Sequence, residues 1–223
     1  MRLPCYPGVS RRPGFAVVAA LTLTASLFVV SYAIGVGTAE EKGESPTEAV
    51  QGTLTEVFRI LEDPQLKEPA QQARRRHMLE ESIGRRFDYG EMSKRTLASH
   101  WSRLTDDERT RFVTVFKGFL SDRYAGKIEG YSGEKVQYLG ERLEGQYAEV
   151  RTKLVSSKVE YPLDYRLINK AGRWHAYDIV ADGVSLVRNY RSQFDKILKT
   201  GSYEELISRL QNRSVPEAPK EKH

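Results

Sequence analysis

Cysteine is almost missing from this 223-residue chain; its one copy, Cys5, lies near the start. Disulfides, cysteine-ligated zinc and thiol catalysis are thereby excluded from the rest of the sequence. Histidine is nearly as sparse. His77, His100, His175 and His223 are too dispersed to form a local metal-ligand pair. No G-x-x-x-x-G-K-S/T phosphate loop occurs, and Gly130-Tyr131-Ser132-Gly133 is one residue short of a G-x-S-x-G nucleophile elbow. Charge of one sign is lacking too. The formal net charge is +5, but Arg2, Arg11 and Arg12 supply three of the positive charges in an acid-free stretch 1–39, which leaves 32 basic against 30 acidic residues elsewhere. That mixture forms no basic stripe and gives no support to a nucleic-acid partner.

What is present begins with an address. Phe15 to Ala33 holds no charge, follows Arg11-Arg12, and is followed by the small residues Gly37-Thr38-Ala39. This is the layout of a secretory signal peptide over residues 1–39, with Ser31-Tyr32-Ala33 as a second cleavage candidate. The competing reading is an uncleaved anchor, since nineteen residues at about 1.5 Å each just span a bilayer core. Cys5 precedes the apolar run and is therefore no lipoprotein acylation site. On the signal-peptide reading the mature protein folds outside the cytoplasm.

With 39% hydrophobic residues, the remainder can build one core. Val50, Leu54, Val57, Phe58 and Leu61 predict a helix over 49–61, and a second is expected over 70–83. Arg74-Arg75-Arg76 on the latter reads as a solvated face, with phosphate binding as the alternative. A third helix follows Phe87-Asp88-Tyr89 and reaches Leu97. Thr105 and Glu108 have capping-box spacing and open a long helix to about Gly126, with Phe112, Phe116, Phe119, Leu120 and Tyr124 along one side.

From Glu134 the apolar period drops to two, predicting four strands in an antiparallel meander. Ala148, Val150, Thr152 and Leu154 share one strand face; Val159, Tyr161, Leu163, Tyr165 and Leu167 share another, alternating with Lys158 and other polar residues. Pro162 implies a strand edge or a bulge. Helix resumes after Asp182-Gly183, with Val187, Tyr190, Phe194, Ile197 and Leu198 as its stripe. Gly201, Ser202 and Glu205 mark a last short helix, and the tail from Ser214 to His223 is expected to fray. The sum is one α+β domain over residues 40–213, without repeats.

His175 and Asp178 suggest an acid–base pair, as in a secreted α+β enzyme. Three residues apart on a regular strand, however, they are expected on opposite faces. Asp178 reads instead as a buried acceptor for backbone or hydroxyl donors near Asp182-Gly183. An anchored adaptor that only binds protein is a further alternative.

Trp174 to Leu186 fits W-x-x-Y-D-I/V/M-x-x-E/D-G-V-S-L/M, and Asn189 to Phe194 continues as N-Y-R-x-Q-F. In these segments, and in Phe87-Asp88-Tyr89, Met92, Leu97 and Trp101 upstream, the chain resembles the MlaC family, the toluene-tolerance or lipid-asymmetry periplasmic carriers. The likeness covers roughly residues 46–212 and departs at Ala98, where glycine is usual, and at Asp182, where glutamate is common.

The resemblance implies a curved four-stranded sheet and surrounding helices that enclose an apolar pocket for phospholipid acyl chains. It also implies a cofactor-free, monomeric shuttle in the periplasm. Its partners would be an outer-membrane lipoprotein–porin complex and the MCE-domain subunit of an inner-membrane ABC transporter. Tyr124 and Val184 match the family's pocket lining; Phe116 and Leu120 are added by helical spacing, and Val150, Thr152, Leu163 and Tyr165 by strand face. Exposing two sixteen-carbon chains to water costs on the order of 20 kcal/mol or more at ~0.8 kcal/mol per methylene. Burial alone is then the chemistry such a carrier needs.

Overall fold

The computed structural model describes residues 43–156 and 160–216. The expected signal segment, Lys158 and Val159 of the expected third strand, and the tail from residue 217 onward lie outside the described residues. Helix α1 spans Pro46–Glu62. It starts before the apolar stripe because Ser45 and Glu48 form a reciprocal capping box with Pro46 in the first turn. A 3-10 turn at Pro69–Gln71 leads into α2, Gln72–Arg86. Asp88 caps α3, Tyr89–Leu97, by accepting the Glu91 N–H at 2.8 Å. After a second 3-10 turn, Ala98–Arg103, the expected Thr105–Glu108 box opens α4, Asp106–Glu129. This helix runs past Gly126, since one interior glycine costs only about 1 kcal/mol against alanine.

The sheet is a meander of five antiparallel strands in chain order, not four: β1 Lys135–Glu144, β2 Tyr147–Val155, β3 Glu160–Lys170, β4 Arg173–Ala181 and β5 Val184–Ser185. The fifth strand exists because Asp182 and Gly183 both take positive φ, 50° and 78°. That conformation folds a chain straight back along its neighbour. Val184 and Ser185 accordingly pair with Ala181 and Val180. Helix α5, Leu186–Thr200, and helix α6, Tyr203–Gln211, complete the chain order.

Two irregularities set which side chains share a face. Leu139 is an extra residue in β1, and Tyr177 is an extra residue in β4, where Ala176 opposes Leu167 but Asp178 opposes Arg166. Strand parity reverses at Tyr177. Pro162 belongs to a central strand, yet it lies just beyond the β3–β4 ladder, which begins at Leu163 and Ala181. Its missing N–H is not needed there.

The apolar residues do not merge into one core. One cluster joins α3 to α6, with Phe112, Phe116, Tyr190 and Phe194 at 0% exposure. Phe116 meets Tyr190 and Phe194 edge-on at 5.6 and 5.5 Å, the favoured aromatic geometry. A second cluster packs Ala49 and Val50 of α1 onto Ala148, Val150, Leu167 and Trp174 of the sheet. The third closes α1 on α2 through Val57, Ile60, Leu61 and Leu79. The C-terminal segment contributes as well: Val215, expected to fray, is 1% exposed within the first cluster, and its carbonyl accepts a bond from Arg123.

Candidate functional site

Between the three clusters lies a cavity of about 1140 Å³. That is at or above the upper end of ordinary small-molecule sites, about 300–1,000 Å³. Each wall follows from a local pattern. Val50, Leu54, Val57, Phe58 and Leu61 line it from α1, and Leu79 and Ile83 from α2. Leu120, Tyr124 and Ile128 come from α4 at fourfold spacing, so one helix face supplies them all. The sheet contributes Leu154, Leu163, Tyr165, Ala176, Ile179 and Ala181. Ala176 and Ile179 are three apart, and they share the cavity face only because the Tyr177 bulge intervenes. Val184 and Leu186, flanking Ser185, close the end beside the β4–β5 turn.

The wall is mostly apolar, with charged residues such as Arg76, Glu80 and Arg86 among its lining. Burial pushes the Tyr165 phenol well above its usual range, and burial followed by the nearby Glu80 pushes Tyr89 up to about 12. Both rings remain neutral at any physiological pH. Tyr124 shares a hydrogen bond with Tyr190 at 3.3 Å. Charged groups on the cavity's lining are tied to neighbours. Arg86 donates to Thr53 Oγ1 at 3.0 Å, to the Trp174 carbonyl at 2.8 Å and to Glu44 at 3.1 Å. Arg76 pairs with Glu80 at 3.2 Å and with Asp122, and Arg75 lies 3.5 Å from Glu129. Two members of the arginine triplet are thus ion-paired to acids, both of them across to α4, and not aligned on one solvated face.

Of the residues expected in the pocket, Leu120, Tyr124, Leu163, Tyr165 and Val184 line this cavity. Phe116, Val150 and Thr152 do not. Phe116 turns into the helical cluster, Val150 packs beneath α1, and the Thr152 hydroxyl donates to the Leu163 carbonyl inside the sheet. The α1 and α2 wall went unassigned in the sequence reading.

The acid–base candidates separate. The bulge places His175 and Asp178 opposite Ile168 and Arg166, positions of the same strand face, contrary to the alternation expected of a regular strand. They still form no pair. Asp178 is 2% exposed and accepts from Ser185 Oγ at 2.6 Å, from the Val187 N–H at 3.0 Å and from Arg166 at 3.2 Å. This is the buried-acceptor role read from the sequence. Among the described residues no group of three or more His, Cys, Asp or Glu side chains could hold a metal ion, and no helix is long and apolar enough to cross a membrane.

Residues 51–212 match the family model described as MlaC protein. The chain belongs to the MlaC family. An intermembrane phospholipid transport system binding protein MlaC of Haemophilus influenzae is 25% identical over 123 residues, 52% of this chain and 58% of that protein. The alignment thus spans less than two thirds of that MlaC's length. The toluene tolerance protein ttg2D of Pseudomonas putida is 24% identical over 163 residues, 71% of this chain and 76% of the relative. Among solved structures, a phospholipid-binding protein from Ralstonia solanacearum in complex with a phospholipid is similar at a TM-score of 0.66 and 25% identity, covering 74% of this chain and 94% of that one. In this MlaC-family chain Asp178 and Ser185, of the Y-D and G-V-S segments, act at the joint between β4 and α5, and Val184 and Leu186 beside that joint line the cavity.

Proposed function

We propose that this protein binds a phospholipid with its acyl chains in the 1140 Å³ cavity and carries it through an aqueous compartment. One observation carries the reading: a MlaC-family fold leaves a large, mostly apolar void between three separately closed clusters. Moving an acyl chain from a membrane into such a void exchanges one apolar phase for another. The methylene cost of about 0.8 kcal/mol each is then avoided. Leu120, Tyr124, Leu163, Tyr165 and Val184 contact the chains, and α1 supplies the facing wall.

The relatives' names, a phospholipid transport binding protein and a phospholipid-binding protein with its lipid, support this assignment. In the fuller form of the proposal, residues 1–39 direct export to the periplasm. There the protein exchanges lipid, as a monomer and without cofactor, between an outer-membrane lipoprotein–porin complex and the MCE-domain subunit of an inner-membrane ABC transporter. The proposed activity is transfer, with no bond made or broken.

Native mass spectrometry of the chain purified from bacterial cells tests the proposal. A co-purifying phospholipid is expected, absent from a Tyr124→Glu/Val184→Glu variant whose circular dichroism is unchanged. A buried carboxylate is costly among acyl chains. Lipid-free wild-type protein, or equal lipid in the variant, would refute it.

A further inference from the structure

A second concavity, about 320 Å³, lies between the junction of α3 with its following 3-10 turn and one stripe of α5. It shares no lining residue with the apolar cavity. Ala98, Ser99 and His100 form one side. Arg188, Arg191, Ser192 and Asp195 form the other, at spacings of three, one and three that keep them on a single helix face.

The charges here are unbalanced. Neither the Arg188 nor the Arg191 guanidinium has a hydrogen bond or ion pair among the described residues, whereas Arg76 and Arg166 each bridge two acids. The concavity's one carboxylate, Asp195, is engaged by Lys199 at 2.7 Å and by His100 Nε2 at 3.2 Å, so it does not neutralise the arginines. The Ser99 hydroxyl is uncommitted among the described residues, while Ser192 Oγ donates to the Arg188 carbonyl at 3.1 Å.

Two further features lie beside the concavity. Asn189 Nδ2 and Gln193 Oε1 are buried without a hydrogen-bond partner on α5, though neither residue lines the concavity. Within N-Y-R-x-Q-F, the Tyr190 and Phe194 rings build the core, while Asn189 Nδ2, Gln193 Oε1 and the Arg191 guanidinium make no hydrogen bond among the described residues. Ala98 holds φ 48° and ψ −120°, a region that strongly disfavours a Cβ. The backbone turn made there is what sets Ser99 and His100 opposite α5.

We propose that this concavity binds a phosphate group, gripped by Arg188 and Arg191 with Ser99 Oγ as a third donor. Planar guanidinium forks match tetrahedral oxyanions in both geometry and charge. Two sources carry that chemistry: a phospholipid headgroup in a membrane surface, and free inorganic phosphate.

The chain is titrated with sodium phosphate and, at equal ionic strength, with sodium acetate, while nuclear magnetic resonance follows Ser99, His100, Arg188 and Arg191. Saturable shifts with phosphate but not acetate are expected, weakened about tenfold or more in Arg188→Ala/Arg191→Ala. Arg188→Lys/Arg191→Lys keeps the charge, loses the forks and weakens binding too; the distant Arg173→Ala leaves it intact. Sedimentation with phosphatidylcholine vesicles, with and without phosphatidylglycerol, then separates the sources. Arginine-dependent capture by the anionic vesicles assigns the headgroup, and phosphate binding without capture assigns the free ion. Equal response to acetate, binding that survives the double alanine change, or no response in either arm overturns the proposal.

Discussion

Ser185 Oγ donates to Asp178 Oδ2 across 2.6 Å, fastening the strand before the β4–β5 turn to the residue after it. The same serine oxygen accepts the Arg188 N–H at 3.0 Å and so caps α5, whose Val187 N–H reaches Asp178 at 3.0 Å. The Y-D and G-V-S residues form a joint. They hold α5 to the sheet and present Val184 and Leu186 to the cavity.

Asp178→Ala strips a buried hydroxyl, a helix-start N–H and a guanidinium of their shared acceptor. Arg166 is part-exposed and keeps Glu149, so the expected loss is about 1–3 kcal/mol of unfolding free energy, as for buried donors left without their acceptor. Urea denaturation at neutral pH measures it; an unchanged midpoint would show that the joint is not structural.

Asp122 pairs with Arg76 of α2 and lies 2.5 Å from Arg213 near the C-terminus. These groups are half-exposed, so Asp122→Ala should cost only ~1 kcal/mol or less. On the carrier reading it removes one of the two ion-paired links, Arg76–Asp122 and Arg75–Glu129, that tie α2 to α4. Transfer of a fluorescent phospholipid to acceptor vesicles should therefore accelerate several-fold while thermal unfolding barely moves. Unaltered transfer would show that the ion pair is no latch.

Ala98→Gly should stabilise the protein. Relief of backbone strain, roughly 1–3 kcal/mol, exceeds the extra chain entropy of glycine, roughly 0.5–1 kcal/mol. A net gain of about 1 kcal/mol raises Tm by about 2–4 °C in a chain of this size. A fall in Tm would mean that the alanine is not strained.

Burial alone would push the Asp88 carboxyl up, but the Lys170 ammonium at 2.5 Å and the Glu91 N–H hold it below its ordinary range. The folded state therefore binds fewer protons than the unfolded chain. This contribution to stability is complete above about pH 4 and disappears as pH falls through the lowered value. Asp88→Asn should flatten the acid limb of stability below about pH 4, measured by denaturant titration across a pH series. An equally steep limb in the variant would contradict the assignment.

Much of the fold was written in short-range pattern. Capping boxes and apolar spacing located α4 and the last two helices, and two-residue alternation located the meander. The pocket was only partly legible. Phe116 and Leu120 lie one turn apart on the same stripe, yet one is sealed by Tyr190 and Phe194 of α5 while the other faces the void. Ile179 and Ala181 were hidden by the Tyr177 bulge, which reverses the strand's parity without a glycine or proline to announce it. The fifth strand was concealed because Asp182-Gly183 marks a turn equally well at the end of a sheet or within a hairpin.

By itself the sequence determined every element but the short fifth strand, their order and the family, because caps, periodicity and signature residues act over a few positions along the chain. Only tertiary structure decided where the interior stays hollow. A cavity is contact that fails to form, and it takes shape once α1 has closed on both the sheet and α2 and the remaining helices have closed on one another. No single segment encodes that gap, since each of its walls would serve equally well as packed core.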